Sequence, residues 1–510
     1  MKTLFDLVSS AGSSYGGNVF IKEKIGSDIR EKTFGEFYAD ALKVSAFLKD
    51  KFGRTVHAGA IGSTSYNYLV SYLGTMIGGN TGVPIDALLS PADICGLLCR
   101  ADVEVLFYDE RFSPAVPVFK ANCPNIKEYV MLSDRTGGDV QTLGDVLGNY
   151  PSEIPEKPEE STLAAILFTS GTTGKAKGVM LTHGNFMDNV FCCDNESTPE
   201  DVLLTVLPIH HVYCFTCDIL LSLRYGTCVC VNDSLMKVAQ NLKLFSPTVI
   251  LLVPMIAATI LKQIKTAAKA NPNIPVQAIA KNALGGRLKV IYSGGAYLNP
   301  EIISGYEELG ITIAQGYGMT ECSPRITSGD LTRKSVGDVG TIVKGCKVKI
   351  VDGEITVKSP SVMRGYYKDE AVTAETLKDG WLYTGDLGYV DDENRLFITG
   401  RKKNLIILSN GENVSPEELE NKAEAAQIAQ ELMVYSEDEL LTLELFPGRE
   451  LYAGKTDEEV SNEIREKVKA LNKELPSSKA IRRIRVRKEE FEKTTSRKIK
   501  RAQAVKGDII

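Results

Sequence analysis

The stretch Leu163-Ala164-Ala165-Ile166-Leu167-Phe168-Thr169-Ser170-Gly171-Thr172-Thr173-Gly174-Lys175-Ala176-Lys177-Gly178 decides how this chain is read. An apolar run that is too short for a helix ends in a loop dense in glycine, hydroxyl and lysine. The run reads as a buried strand. The glycines let the backbone turn with positive φ and come close to a ligand. The hydroxyls and the two lysines supply donors and charge, which suits the phosphates of a nucleotide. The loop is not the P-loop of kinases and GTPases, because Lys175 is followed by Ala176 where that motif needs Ser or Thr.

Further strands are expected at residues 249–253, 289–292 and 311–314, alternating with helical stretches. That alternation predicts an α/β fold with mostly parallel sheets and helices on their faces. The apolar run 249–261 contains Pro254 and is too short for a bilayer span, so it reads as a buried strand or helix. After Lys344 the texture changes. Lys347–Val351 and Glu354–Lys358 alternate apolar and polar residues around Asp352-Gly353, a hairpin signature within a small β-rich unit at about 335–400. A domain boundary is expected near residue 401, with residues 1–400 forming a large N-terminal domain and 401–510 a small α+β domain. A helix should start at Ser415-Pro416-Glu417-Glu418, which fits a capping box. The stretch 482–501 is strongly basic.

With 510 residues, two or three domains are expected. A formal charge of −6 argues against a nucleic-acid partner. The N-terminus lacks the pattern of a signal peptide, and the 11 cysteines fit reduced thiols in the cytoplasm. Membrane contact is expected to be at most peripheral, and the oligomeric state is left open.

The loop at 169–178 resembles the phosphate-binding signature of the adenylate-forming superfamily: acyl-CoA synthetases, luciferases and nonribosomal adenylation domains. Other segments resemble that superfamily in the same order. They are Leu207-Pro208-Ile209-His210-His211, Gln315-Gly316-Tyr317-Gly318-Met319-Thr320-Glu321, Tyr383-Thr384-Gly385-Asp386-Leu387-Gly388, Gly400-Arg401-Lys402-Lys403 and Lys493-Thr494-Thr495-Ser496-Arg497-Lys498. The string 491–501 is most similar to bacterial medium- and long-chain fatty acyl-CoA synthetases.

The resemblance implies the following sites. Nucleotide contacts come from Thr169, Ser170, Gly171, Thr172, Thr173, Gly174 and Lys177, and from Gly294, Gly295 and Ala296. Gln315, Gly316, Tyr317, Gly318 and Thr320 add to them, with Tyr317 stacking on adenine and Thr320 meeting the α-phosphate. Asp386 and Arg401 take the ribose. Glu321 holds Mg²⁺, which favours carboxylate oxygen. Lys498 neutralises the carboxylate and α-phosphate, and Lys403 is the hinge of a mobile C-terminal lid. Thr320, Glu321, His210 and Lys498 form the catalytic set. An acyl pocket is lined by Val212, Tyr213, Ser293, Gly318 and Met319, with His210 beside it. The implied activity is ATP-dependent conversion of a carboxylic acid to acyl-AMP and transfer to coenzyme A. Alternatives are loading of an acyl carrier protein, or an AMP-binding regulator without turnover.

Two positions depart from the pattern: Ala176 stands where proline is usual, and Arg497 where glycine is usual. No acid stands between His210 and Asp218 to bind an amino group, which favours a plain, apolar-tailed acid. His210, His211, Cys214 and Cys217 lack the paired spacing of a structural zinc site and are not read as one.

Overall fold

The computed structural model describes every residue except 170–175, 194–196, 334, 336, 409–412, 449–450, 494–498 and 502–506. Contacts divide it into two compact units. The first comprises Met1–Leu298, Ile302–Val348 and Val357–Leu382; the second comprises Asn299–Glu301, Lys349–Thr356 and Tyr383–Ile510.

Thirteen strands frame the first unit: β1 Val19–Ile25, β2 Asp28–Thr33, β3 His57–Ile61, β4 Thr81–Ile85, β5 Val103–Tyr108, β6 Glu128–Met131, β7 Leu163–Thr169, β8 Lys177–Thr182, β9 Val202–Thr205, β10 Cys228–Val231, β11 Val249–Leu252, β12 Val290–Ser293 and β13 Thr312–Gln315. One seven-stranded sheet runs β13-β12-β11-β9-β10-β1-β2. Its pairs are parallel apart from the β1–β2 hairpin at its edge. A second runs from the short strand Gly365–Tyr366 through β8-β7-β4-β3-β5-β6, and is parallel from β7 to β6. The expected mostly parallel α/β architecture is present. The apolar run at 249–261 resolves into both alternatives: β11 ends at Leu252, and Pro254 opens the helix Pro254–Ala270. Proline suits that first position because its missing N–H would have no partner there anyway.

The core of the first sheet is made by Leu204, Ile250, Leu252 and Ile291 packed on helix residues Leu261, Ile264 and Tyr306, all buried. The second sheet buries Ile61, Val83, Leu106 and Ile166 against helix residues Ile94 and Leu98. These strands are mostly apolar, as is usual where both faces of a parallel sheet are covered.

Lys347–Val351 and Glu354–Lys358 are neighbours in a five-stranded sheet. Their turn has φ 50° at Asp352 and 79° at Gly353. Two consecutive positive values are what a tight two-residue hairpin turn of this hand requires, and Asp-Gly tolerates them.

The second unit has its own core. Leu419 and Ala423 of the helix Pro416–Ala425 pack with Leu432, Val434, Leu443 and Leu445, and with Ile464, Val468 and Leu471 of the helix Asp457–Lys473. Spacings of four and three place the last three on one helix face. Ser415 caps the first of these helices and Pro416 follows, but the expected capping box is not formed. The Ser415 hydroxyl donates to Glu417 Oε2 at 3.1 Å, and its oxygen accepts no backbone N–H of the helix. Gly400 lies close against it, since a Cβ there would come within 2.0 Å of Ser415 Oγ.

Candidate functional site

Four strands of the first sheet, β9, β11, β12 and β13, run parallel and end on one side. Loops that leave carboxyl ends of parallel strands form the usual ligand crevice of open α/β sheets. The segments singled out by sequence leave from these ends. β9 leads to Leu207-Pro208-Ile209-His210, β12 to Gly294-Gly295-Ala296, and β13 to Gly316-Tyr317-Gly318-Met319.

The backbone links these loops. Gly294 N–H donates to Leu252 O, and Gly316 N–H donates to Ser293 O. Gln315 is buried at the end of β13. Tyr317 is clamped from both sides: its N–H donates to Thr327 Oγ1 at 2.9 Å, and its carbonyl accepts from Ile326 and Thr327. Gly318 has to be glycine here, because a Cβ would sit 2.1 Å from Pro324 O. Gly295 adopts φ 83°, the left-handed region. Thr320 opens a short 3-10 turn, Thr320–Cys322, which buries Glu321.

Tyr213 packs against this turn. A Cβ on Gly294 would meet its Cζ at 3.2 Å and Gly316 O at 3.3 Å. Tyr213, Gly294 and Gly316 therefore form one wall, with glycine leaving room for the ring. Val212 is buried beside Tyr213 in the chain, Met319 is half-buried, and Ser293 Oγ is buried without a hydrogen-bond partner among the described residues. Next along the helical stretch, Asp218 is fully buried. It accepts from Thr205 Oγ1 at 2.7 Å, and burial raises its carboxyl to about 7.

His210 Nε2 lies 3.8 Å from Asp86 Oδ1, directly after β4, so this contact joins the loops of the two sheets. Burial, reinforced by His211 beside it, lowers the imidazole well below its usual range and keeps it neutral. The two rings lie 4.3 Å apart. Cys214 is engaged by Thr205 and Asp218.

At the phosphate-type loop, Thr169 ends β7 directly opposite Lys177, which begins β8. Ser170, Gly171, Thr172, Thr173, Gly174 and Lys175 lie outside the described residues. The loop's exit is held by Arg100, whose Nη1 donates to the Ala176 carbonyl. Lys177 Nζ stands 4.9 Å over the ring of Tyr366. The same Tyr366 donates its hydroxyl to Glu321 Oε1 at 2.8 Å. One aromatic side chain thus touches both the loop lysine, with its ring, and the turn glutamate, with its hydroxyl. Sequence reading missed Tyr366. Its only cue is the short strand Gly365–Tyr366, which pairs with β8.

Glu321 keeps its second oxygen, Oε2, without a protein hydrogen bond among the described residues. A carboxylate oxygen left over on a mostly buried side chain suits a hard divalent cation that keeps most of its water.

In the second unit, Asp386 and Arg401 face each other on paired strands, with Arg401 Nε 2.8 Å from Asp386 Oδ1. Asp386 is buried, and the arginine side chain is 49% exposed. Glu354, also missed by sequence reading, steadies both neighbours. It accepts from Gly385 N–H at 2.9 Å and from Lys402 Nζ at 2.8 Å. Lys403 lies in the short turn Lys402–Asn404 that follows. Lys498 lies outside the described residues.

Fold and site together define an adenylate-forming enzyme fold. The family model "AMP-binding enzyme" matches residues 12–367, and the model "AMP-binding enzyme C-terminal domain" matches 403–507. The chain belongs to the AMP-binding enzyme family. It is 31% identical over 401 residues to the peroxisomal long chain acyl-CoA synthetase 7 of Arabidopsis thaliana, a match covering 66% of this chain. The chain spans only 57% of that relative's length. The long-chain-fatty-acid–CoA ligase FadD15 of Mycobacterium bovis is 26% identical over 506 residues, covering 86% of this chain and 84% of the relative. Among solved structures, the anthranilate CoA ligase AuaEII in complex with anthranoyl-AMP superposes with a TM-score of 0.84 at 20% identity. That likeness covers 98% of this chain and 95% of the ligase and speaks to the fold. Among the described residues, no helix is long and apolar enough to cross a membrane.

Proposed function

We propose that this chain activates a medium- or long-chain fatty acid with ATP and then passes the acyl group to coenzyme A. In the first step a carboxylate oxygen attacks the α-phosphorus, and the bond to pyrophosphate breaks. In the second the thiolate attacks the acyl carbonyl, AMP leaves, and the thiol proton passes to solvent. The observation that carries the reading is the Lys177–Tyr366–Glu321 arrangement at the strand ends. It brings a cation and a carboxylate onto one aromatic side chain, the cation on its ring and the carboxylate on its hydroxyl.

Two anions must meet for the first step, so the main work of the residues is positioning and charge neutralisation. Lys177 and the loop 169–174 would take the β- and γ-phosphates. Tyr317, with its backbone clamped on both sides, would offer a flat face to adenine. Gly294, Gly295, Ala296, Gln315 and Gly316 would line that nucleotide face. Thr320 would meet the α-phosphate, and Asp386 with Arg401 the ribose. Glu321 would hold Mg²⁺, which when bound supplies positive charge to phosphate oxygens. Lys498 would bring a mobile point charge to the carboxylate and α-phosphate. Val212, Tyr213, Ser293, Gly318 and Met319 would line the acyl pocket, with neutral His210 at its side. The part from about residue 401 would act as a lid turning about Lys403. Cytoplasmic residence is part of the same reading.

Long-chain relatives support the fatty acid, and the absence of an acid between His210 and Asp218 supports a substrate without an amino group. Acid-dependent ATP–pyrophosphate exchange over C8–C18 fatty acids and aromatic acids tests the reading, followed by addition of coenzyme A to trap the thioester. Exchange with fatty acids and thioester formation are expected. Exchange with aromatic acids alone would remove the fatty-acid part. Exchange followed by transfer only to an acyl carrier protein would change the acceptor. Tight AMP binding without exchange for any acid would leave a regulator.

A further inference from the structure

Arg325 is 8% exposed and lies three residues after the end of the Thr320–Cys322 turn that carries Glu321. A buried guanidinium ordinarily sits against a carboxylate, since an unpaired charge in the interior is costly. Among the described residues no carboxylate touches it. Its Nε takes Asn189 Oδ1 at 3.3 Å, its Nη2 donates to the Asn189 carbonyl, and its Nη1 points at Cys193 Sγ at 2.7 Å. A second arginine approaches the same cysteine, with Arg224 Nη1 donating to the carbonyls of Cys193 at 2.9 Å and Val190 at 2.8 Å. Both arginines therefore also satisfy carbonyls at the end of the helix His183–Phe191.

We propose that Cys193, its sulfur held against the Arg325 guanidinium, is the site at which small disulfides and electrophiles modify this protein and switch off its nucleotide chemistry. Among the described residues, the titratable and polar groups facing its sulfur include the Cys192 and Cys217 thiols, the Arg325 and Arg224 guanidiniums and the Ser328 hydroxyl. A hydrogen bond from Cys192 acts first, and against the effect of burial the Arg325 charge adds to it, so the Cys193 thiol titrates below its usual range. Thiolates beside arginine are the reactive form of cysteine. Cys193 is half-buried, whereas Cys192 behind it is buried, so a small reagent reaches one member of the pair.

With a small disulfide, the thiolate attacks one sulfur and a new S–S bond forms as the reagent's own bond breaks. The leaving thiolate keeps the electron pair or takes a proton from water, as its acidity dictates. The adduct removes the negative charge beside Arg325 and adds bulk where there is little space. Asn189 transmits the change, because its Nδ2 donates to Cys322 O and Arg325 O, and its Oδ1 accepts from Arg325 N–H. That amide ties the turn holding Glu321 to the segment holding Arg325.

The test treats the full chain with dithionitrobenzoate at pH 6 and pH 8 and locates the adducts by peptide mass spectrometry. Cys99, the exposed thiol, serves as the internal reference. At pH 6, Cys193 should react at least about tenfold faster than Cys99, and Arg325→Gln should erase that lead. Acid-dependent pyrophosphate exchange should fall in step with labelling, return on addition of dithiothreitol, and survive the reagent in Cys193→Ser. Should that variant fail to fold, labelling and reversal in the unmodified chain decide the matter alone. Labelling of Cys99 ahead of Cys193 at pH 6, or full labelling of Cys193 with activity intact, overturns the proposal. Only the activity readout rests on the ligase reading; adduct position and its pH dependence stand apart from it.

Discussion

Two oppositely charged pairs in this molecule are built in opposite ways. Lys177 and Glu321 each contact Tyr366, whose ring faces the one and whose hydroxyl bonds the other. Asp386 and Arg401 close directly on each other at 2.8 Å. In the first arrangement each charge keeps capacity for something else. In the second the charges satisfy each other, but the half-exposed arginine makes this a weak bond, worth on the order of 1 kcal/mol or less. A ligand that offers two hydroxyls could compete with it. The difference suggests that the first pair is prepared for high charge density and the second for neutral, hydrogen-bonding groups.

Removing charge from the first pair should have the largest effect. Lys177→Ala and Glu321→Gln are each expected to slow acid-dependent pyrophosphate exchange by roughly 100- to 1000-fold, the usual loss for a preorganised electrostatic contact. A loss below tenfold in either would break the contrast. Lys498→Ala should abolish adenylation equally while leaving ATP binding largely intact; normal adenylation with lost thioester formation would contradict its role. Asp386→Asn comes next, with KM for ATP raised about tenfold and kcat held, since a contact made equally in ground and transition states affects binding. A fall in kcat alone would move Asp386 into the chemistry.

Tyr366 sharpens the comparison further. Tyr366→Phe keeps the face under Lys177 and removes the bond to Glu321, so a loss of about tenfold in exchange is expected, on the order of one hydrogen bond to a charged group. Tyr366→Leu should lose more, because the cation then loses its ring as well. Equal effects would mean that the ring face contributes nothing.

The smallest effect on activity, and a clear one on stability, is expected from Asp218→Asn. Burial raises this carboxyl to about 7, while in the unfolded chain it titrates near 4. Between those values the folded state binds the extra proton, so stability falls as pH rises. Asparagine is neutral throughout. The variant should be more stable at pH 8, by up to about 4 kcal/mol, and the gain should shrink as pH drops toward 4. Thermal unfolding at both pH values checks this, and a gain independent of pH would refute it.

Much of the framework was legible in the chain. β7 follows from the apolar run 163–169, the turn at Asp352-Gly353 from its two residues, and the helix start at Ser415-Pro416 from its punctuation. Each is a local signal of period or backbone preference, carried by residues adjacent in sequence. The loops at 293–296 and 315–321 were also legible, because glycines between a strand and a hydroxyl or acid mark a close approach. The capping bond expected at Ser415 is not formed, because cap geometry depends on side-chain placement and not on residue order alone.

The sequence alone determined which segments are dense in glycine, hydroxyl and charge and in what order they come, because composition and spacing along the chain encode them directly. Tertiary structure alone decided who touches whom: Tyr366 reaches Glu321 from 45 positions away, Arg325 reaches Cys193 from 132, and Arg100 reaches Ala176 from 76. Such pairs leave no periodic trace in the sequence. They exist because two sheets and their helices pack at one spacing, and only packing brings residues that far apart to within a hydrogen bond.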